Sequence, residues 1–187
     1  CMGVLALPRI GPPQTPVVSM FRGQSTISVD AKGRLAVPTR VRELLSTLPS
    51  QELVITLNPW DLALWVYPVA EWLLIETKLA GLSDFDRQSR RTKQIMRGYA
   101  TDCECDGQGR VLLPPQLREI AGIDKQVALL GQGNKLEIWN AATWAAERDK
   151  WLRDVADGSD ANSAGVSMSI DSKYGPSYIA GLAPMRA

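Results

Sequence analysis

Asp30-Ala31-Lys32-Gly33-Arg34 runs on into Leu35-Ala36-Val37-Pro38, and Asp106-Gly107-Gln108-Gly109-Arg110 runs on in the same way into Val111-Leu112-Leu113-Pro114. This recurrence decides the architecture, because self-similarity at a fixed spacing marks a tandem repeat. The match extends outward in order. Upstream, Arg22-Gly23 aligns with Arg97-Gly98. Downstream, Arg42 aligns with Arg118, Leu64-Trp65-Val66-Tyr67 with Leu136-Glu137-Ile138-Trp139, and Val69-Ala70-Glu71-Trp72 with Ala141-Ala142-Thr143-Trp144.

Each copy shows the same succession of local signals. Thr26 to Val29 and Thr101 to Cys105 read as short strands that enter a turn, where Gly33 or Gly109 supplies the positive φ of a tight hairpin bend. Leu35 to Val37 and Val111 to Leu113 are the return strands. Pro38 and Pro114 suit the first turn of a helix, where a missing N–H costs nothing. Val41, Leu44 and Leu45 form an apolar stripe, and Gly122 stops the second helix. Val54 to Leu57 with Ala63 to Val66, and Val127 to Leu130 with Leu136 to Ile138, read as a second hairpin in each copy. The expected unit is strand, strand, helix, strand, strand, and the fold class α+β.

Between the copies, Pro68 to Leu79 reads as a helix with Trp72, Ile75 and Leu79 on one face. A second helix follows, opened by Ser83 and Asp86 at capping-box spacing and made basic by Arg87, Arg90, Arg91 and Lys93. That basic run is either a solvated face or a nucleic-acid contact. Trp65, Trp72, Trp139 and Trp144 fall in apolar stretches at mostly matched places, which favours core positions over base-stacking platforms. The expected division is an irregular leader at 1–19, a first repeat at 24–71, a helical connector at 72–99, a second repeat at 100–143, a C-terminal helix at 144–156 and a disordered tail at 157–187. Met20 offers a natural start for the patterned part.

Composition removes several classes of function. The 187 residues are 45% hydrophobic with a formal charge of +1, enough to bury a core, so attraction to nucleic acid must come from local clusters. No apolar run approaches the roughly 20 residues of a membrane span. Cys1, Cys103 and Cys105 make no disulfide framework, and with no histidine in the chain a zinc site lacks ligands. Neither a metal nor a cofactor is expected. No histidine base, nucleophile set or Gly-rich phosphate loop points to an enzyme with a small-molecule substrate. Asp30 and Asp106 superficially suggest an acid-protease dyad, but each is followed by an arginine that holds it ionised, and a dyad must share one proton.

The chemistry lies in the paired loops. An aspartate four residues before an arginine can accept N–H groups of the turn or hold the guanidinium fork, fixing a planar cation at a protein edge. Such a cation can bind phosphate or pair bidentately with guanine in the major groove, which a two-stranded ribbon can enter. The bland alternative is a pair that only pins a hairpin. Asp30 and Asp106 read as braces with Gly33 and Gly109, and Arg34 as a DNA contact. Arg22, Lys32, Arg34, Arg40 and Arg42 surround the first loop. Asp102, Glu104, Asp106 and Glu119 offset Arg97, Arg110 and Arg118 around the second, so the first copy is expected to supply more of the salt-dependent affinity.

The opening Met20-Phe21-Arg22-Gly23, the Asp30-Ala31-Lys32-Gly33-Arg34-Leu35 loop, Tyr67-Pro68 with Glu71-Trp72, Asp106 to Arg110, Gly131-Gln132 and Leu136-Glu137-Ile138-Trp139 resemble the MraZ family. The resemblance spans about Met20 to Leu152. It implies two tandem SpoVT/AbrB-like swapped-hairpin β-barrel repeats forming a pseudo-dimer, and assembly of a homo-oligomer into rings. It also implies a cytoplasmic, nucleoid-associated bacterial regulator that represses transcription at direct repeats of double-stranded DNA upstream of its own division and cell-wall gene cluster. On that basis the DNA-binding residues are Arg34, Lys32 and Arg110, with Arg22 and Arg97 beside them. The rival reading is a ring-forming or antitoxin-like interaction module that does not bind a promoter.

Overall fold

In the computed structural model, residues 21–156 are described. The leader at 1–19, the start at Met20 and the tail at 157–187 lie outside them. Strands β1 (Gln24–Ser28) and β2 (Arg34–Ala36) precede helix α1 (Thr39–Ser46), and β3 (Glu52–Leu57) and β4 (Ala63–Pro68) follow it. Helices α2 (Val69–Ala80) and α3 (Arg87–Gly98) lead to β5 (Thr101–Glu104), β6 (Arg110–Leu112), α4 (Pro115–Ile120), β7 (Gln126–Gly131), β8 (Leu136–Asn140) and α5 (Ala141–Ala156). The strand-strand-helix-strand-strand unit thus occurs twice, in an α+β chain. Both copies fall in one compact unit that runs to Trp144, while α5 from Ala145 onward belongs to a second.

The strands pair across the copies. A six-stranded sheet has the order β1-β7-β8-β4-β3-β5, and β2 pairs with β6 in a separate two-stranded ribbon. Hairpins β3–β4 and β7–β8 form within a copy and meet at β4–β8. The outer strands are exchanged: β1 lies antiparallel to β7, and β5 to β3. This corrects the expectation of a tight first hairpin in each copy. Around each glycine turn only one bridge closes, Val29 with Leu35 and Cys105 with Val111, after which the return strand leaves for the other copy. The physical reason is burial: Leu35 and Val111 sit side by side on the inner face of the ribbon, 2% and 3% exposed.

Both faces of the sheet are covered, which explains the unbroken apolar runs in β3 and β4. Leu53, Ile55 and Leu57 alternate with Val54 and Thr56 along β3, and side chains of a strand point to opposite faces in turn. The first set packs with Leu35, Val37, Val111, Leu113, Leu45 and Leu117 from the ribbon, α1 and α4. Val54 turns to the other side, with Trp65, Tyr67, Trp72, Leu79 and Met96 under α2 and α3. Thr56, fully buried, donates its hydroxyl to the Met96 carbonyl at 2.6 Å, so its polarity is satisfied and ties α3 to the sheet.

At the start of α3 the expected capping box is absent. Asp86 is itself the cap, its carboxylate accepting from the Ser89 N–H at 2.7 Å, while the Ser83 hydroxyl accepts from Phe85 N–H. Asp86 therefore satisfies an orphan donor and complements the positive end of the helix dipole. Gly122, at φ +61°, ends α4 as expected. Trp65, Trp72 and Trp139 are buried and Trp144 is half-buried, whereas Trp60 on the β3–β4 turn is 67% exposed.

Candidate functional site

The two Asp-x-x-x-Arg loops close in the same way. In the first, one Asp30 carboxylate oxygen accepts the N–H groups of Lys32 and Arg34, both at 2.9 Å. The other accepts Arg34 Nε at 2.7 Å and lies 2.7 Å from Arg34 Nη2. In the second, Asp106 accepts Gln108 N–H at 2.9 Å, Arg110 N–H at 3.0 Å and Arg110 Nε at 2.8 Å, with Nη2 again at 2.7 Å. Both possibilities read from the sequence, a braced turn and a held guanidinium, are thus realised at once by a single carboxylate. Gly33 and Gly109, at φ +81° and +71°, allow the bend.

Each aspartate is consequently a strongly favoured anion. The Arg34 guanidinium and the Arg34 N–H hold the Asp30 carboxyl down at about 2, and Arg110 does the same for Asp106. A folded value below the ordinary 3.8 gives a contribution that is fully present above about pH 4 and lost as the pH falls toward 2. Carboxyl carbon shifts followed by NMR should show both groups titrating near pH 2 with the loops still closed at pH 3.5. A midpoint at or above the ordinary value would contradict the brace.

The ribbon fixes where the arginines point. Arg34 lies opposite Leu112, and Ala36 opposite Arg110, so these four share one face while Leu35 and Val111 fill the other. Arg34 and Arg110 are diagonal neighbours on the outer face, at roughly 7–8 Å between backbones. Gly33 O accepts from Leu113 N–H and Gly109 O from Val37 N–H, both at 3.0 Å, so each loop is anchored to the other copy's strand. Nε and Nη2 of each arginine face the aspartate, which leaves the outer Nη edge for a bidentate acceptor.

The charged surround of the loops differs from the one read along the chain. A Cβ placed on Gly33 would meet the Arg118 guanidinium at 2.6 Å, and one on Gly109 would meet the Arg42 side chain at 2.3 Å. Each loop therefore packs against the arginine of the opposite copy, because the exchanged strands bring α4 over the first loop and α1 over the second. The balance drawn from sequence neighbours, with Arg42 at the first loop and Arg118 at the second, is corrected accordingly. What still separates the loops is Lys32 against Gln108. No sequence signal short of the strand pairing would have found the crossing.

Lys32, Arg34 and Arg110 are thus brought to one edge, with Asp30, Gly33, Asp106 and Gly109 beneath them. Arg22 and Arg97 are not. Arg22 lies at the end of β1 remote from its loop, roughly 25 Å from Asp30 for extended chain. Arg97, at the end of α3, pairs with Glu76 at 3.6 Å, and β5 separates it from Asp106.

The whole of this framework falls within known sequences. The model of the MraZ protein family, described as antitoxin-like, matches twice in tandem, over residues 20–95 and 96–156. The chain belongs to the MraZ family. A curated relative from Thioalkalivibrio sulfidiphilus, named transcriptional regulator MraZ, is 45% identical over 151 residues, covering 81% of this chain and 100% of its own. Relatives of the same name from Marinomonas and Legionella pneumophila are 47% and 43% identical, over 71% and 75% of this chain and 88% and 93% of their own lengths. Among the described residues, those carrying the MraZ resemblance include both braced loops and parts of β4, β8 and α2. Among the described residues no helix is long and apolar enough to cross a membrane.

Proposed function

We propose that this protein is a sequence-specific, double-stranded-DNA-binding regulator of transcription, acting as a repressor at direct repeats upstream of its own gene cluster. The observation that carries the reading is the β2–β6 ribbon with Arg34 and Arg110 on one outward face, each held rigid by its own aspartate. A two-stranded ribbon fits the major groove, where an arginine pairs bidentately with guanine O6 and N7. Lys32 would then stand beside the phosphates that flank that groove, the loop N–H groups being taken by the aspartates. Arg22, before the far end of β1, and Arg97, at the end of α3, have no part in this face.

The cross-paired strands are read as the swapped-hairpin barrel of AbrB-like repeats, with the division into 24–71, 72–99, 100–143 and 144–156 as its parts. The assembly is a homo-oligomeric ring, in a nucleoid-associated, cytoplasmic protein without catalytic activity. These parts rest on the family membership and on the exchange of β1 and β5 between copies.

Footprinting of pure protein on DNA upstream of its gene tests the reading. Protection at spaced direct repeats is expected, and no binding at low salt would overturn it in favour of a protein-interaction module. A quantitative consequence concerns salt. Each phosphate contact contributes about 0.9 to the slope of log affinity against log salt. Lys32→Ala should therefore reduce the slope by about one, and Gln108→Lys should raise it by about one. Titrations at several salt concentrations would measure both, and slopes equal to that of the unmodified protein would remove Lys32 from the interface.

A further inference from the structure

We infer that the groove between α3 and the β3–β4 turn is a second nucleic-acid site, one that takes an unpaired strand, RNA or melted DNA. A base stacks on Trp60 while the phosphates on either side of it meet Arg87 and Arg91. This site goes beyond the duplex reading above and uses none of the residues that carry it.

The groove is a concavity of about 710 Å³ whose lining includes Trp60, Arg87, Gln88, Arg91 and Gln94. Trp60 is largely exposed, yet its mount is fixed. The buried Asn58 accepts the Trp60 N–H at 3.0 Å through its side-chain oxygen, and its amide nitrogen donates to the Asp61 carboxylate at 3.0 Å. Trp65 stands beside it with ring centroids 5.3 Å apart, and Lys135 Nζ lies 4.5 Å from the Trp65 centroid. An indole held in this way and open to solvent is a stacking platform, because every base has a flat face to lay on it and little ordering remains to be done.

Arg87 and Arg91 supply the charge. Both are exposed and one turn apart, about 6 Å along the axis, and like charges at that spacing destabilise a helix on its own. Lys93 pairs with Asp84 and Arg97 with Glu76, but none of the ion pairs among the described residues takes Arg87, Arg90 or Arg91. Asp86, the carboxylate in the lining, is engaged as the cap of α3 by the Ser89 N–H. The exposed amides of Gln88 and Gln94 offer donors and acceptors to a base edge.

The geometry separates this ligand from the duplex. In a duplex the base faces cover one another, so only an unpaired base can lie on Trp60. The groove is also on the other side of the sheet from the ribbon. Leu53, Ile55 and Leu57 of β3 pack toward the ribbon, whereas Val54 and Thr56 turn to α3, where Thr56 is bonded to the Met96 carbonyl. Ribbon, sheet and α3 are three layers about 10 Å apart, which puts the groove about 20 Å from the ribbon arginines. Two cations a turn apart suit successive phosphates, and so a strand in preference to a free nucleotide.

Fluorescence anisotropy of labelled oligo(U) and oligo(dT), each of about ten units, tests this on the full-length protein. Binding of either supports the site, and the ratio between them tells a transcript from melted DNA. Trp60→Leu should weaken binding about tenfold and abolish part of the tryptophan quenching at saturation, with Trp60→Tyr recovering most of the affinity. Arg87→Gln/Arg91→Gln should lower the slope of log affinity against log salt by about 1.4, at about 0.7 per phosphate of a single strand, and leave duplex binding unchanged. Arg34→Ala/Arg110→Ala should do the reverse, losing the duplex and keeping the oligonucleotide. Absence of binding to both oligonucleotides would overturn the inference, as would loss of oligonucleotide binding in the ribbon variant. So would an annealed duplex that competes equally in that variant, or uridine monophosphate bound as tightly as oligo(U).

Discussion

Arg34→Ala is expected to weaken binding to an operator fragment by at least a hundredfold while leaving the assembled mass unchanged. A bidentate arginine–guanine pair contributes about 1–3 kcal/mol of discrimination, and each 1.4 kcal/mol is tenfold. The structure adds a second loss. Arg34 neutralises the Asp30 carboxylate, and because a carboxyl at its ordinary value of 3.8 stays ionised at neutral pH, without the guanidinium a bare carboxylate would face the phosphates from the turn. Asp30→Asn combined with Arg34→Ala should therefore bind better than Arg34→Ala alone. Arg110→Ala should cost the same order of affinity, because its distances to Asp106 match those of the first loop to within 0.1 Å. Gel shifts on specific and scrambled fragments measure all of these. Specific affinity unchanged in Arg34→Ala would remove the ribbon from recognition.

This near-equality departs from the order expected on sequence, and the reason shows what a linear reading can see. The glycine turns, the second hairpins and the core tryptophans were legible because each depends on residues close in sequence. Asp30 and Arg34 were legible as a pair for the same reason. Strand partners are a different matter. Alternation tells which face of a strand is buried, and the patterns of β1 and β5 fit a neighbour in either copy equally well. Cross-pairing is settled by long-range burial of Leu35 against Val111 and of Phe21 beside Gly133. Once the strands cross, Arg42 and Arg118 exchange loops, and a charge count along the chain assigns them to the wrong sites. At the start of α3, Ser83 and Asp86 had the right residue types and spacing for a capping box, yet the cap lies at Asp86 because the helix begins at Arg87, three residues later than that spacing implies.

The exchanged β1 also provides the largest expected effect on stability. Phe21 is 1% exposed and bridges Gly133 in both directions, donating its N–H at 2.8 Å and accepting one at 2.9 Å. Its ring belongs to the same cluster as Leu35 and Val111, and its backbone bridges the turn after β7, so it anchors the start of β1 to the core. Truncation of a buried phenylalanine costs about 3–5 kcal/mol, a large part of the roughly 5–15 kcal/mol that holds a domain together. Phe21→Ala should lower Tm by about 10 °C or more, since 1 kcal/mol corresponds to roughly 2–4 °C at this size. Gly131→Ala should act on the same contact from the other side. Its Cβ would lie 2.3 Å from the Arg22 nitrogen and 2.5 Å from the Phe21 carbonyl carbon, and no side-chain rotamer relieves a clash with backbone. Gly98→Ala, with open space around its Cβ and a helical position, is the control and should be neutral or stabilising. Calorimetry compares the three. Because the cluster is continuous, the transition should stay single and move as a whole, and an early separate melting of β1 would show that the two copies fold independently despite their exchanged strands.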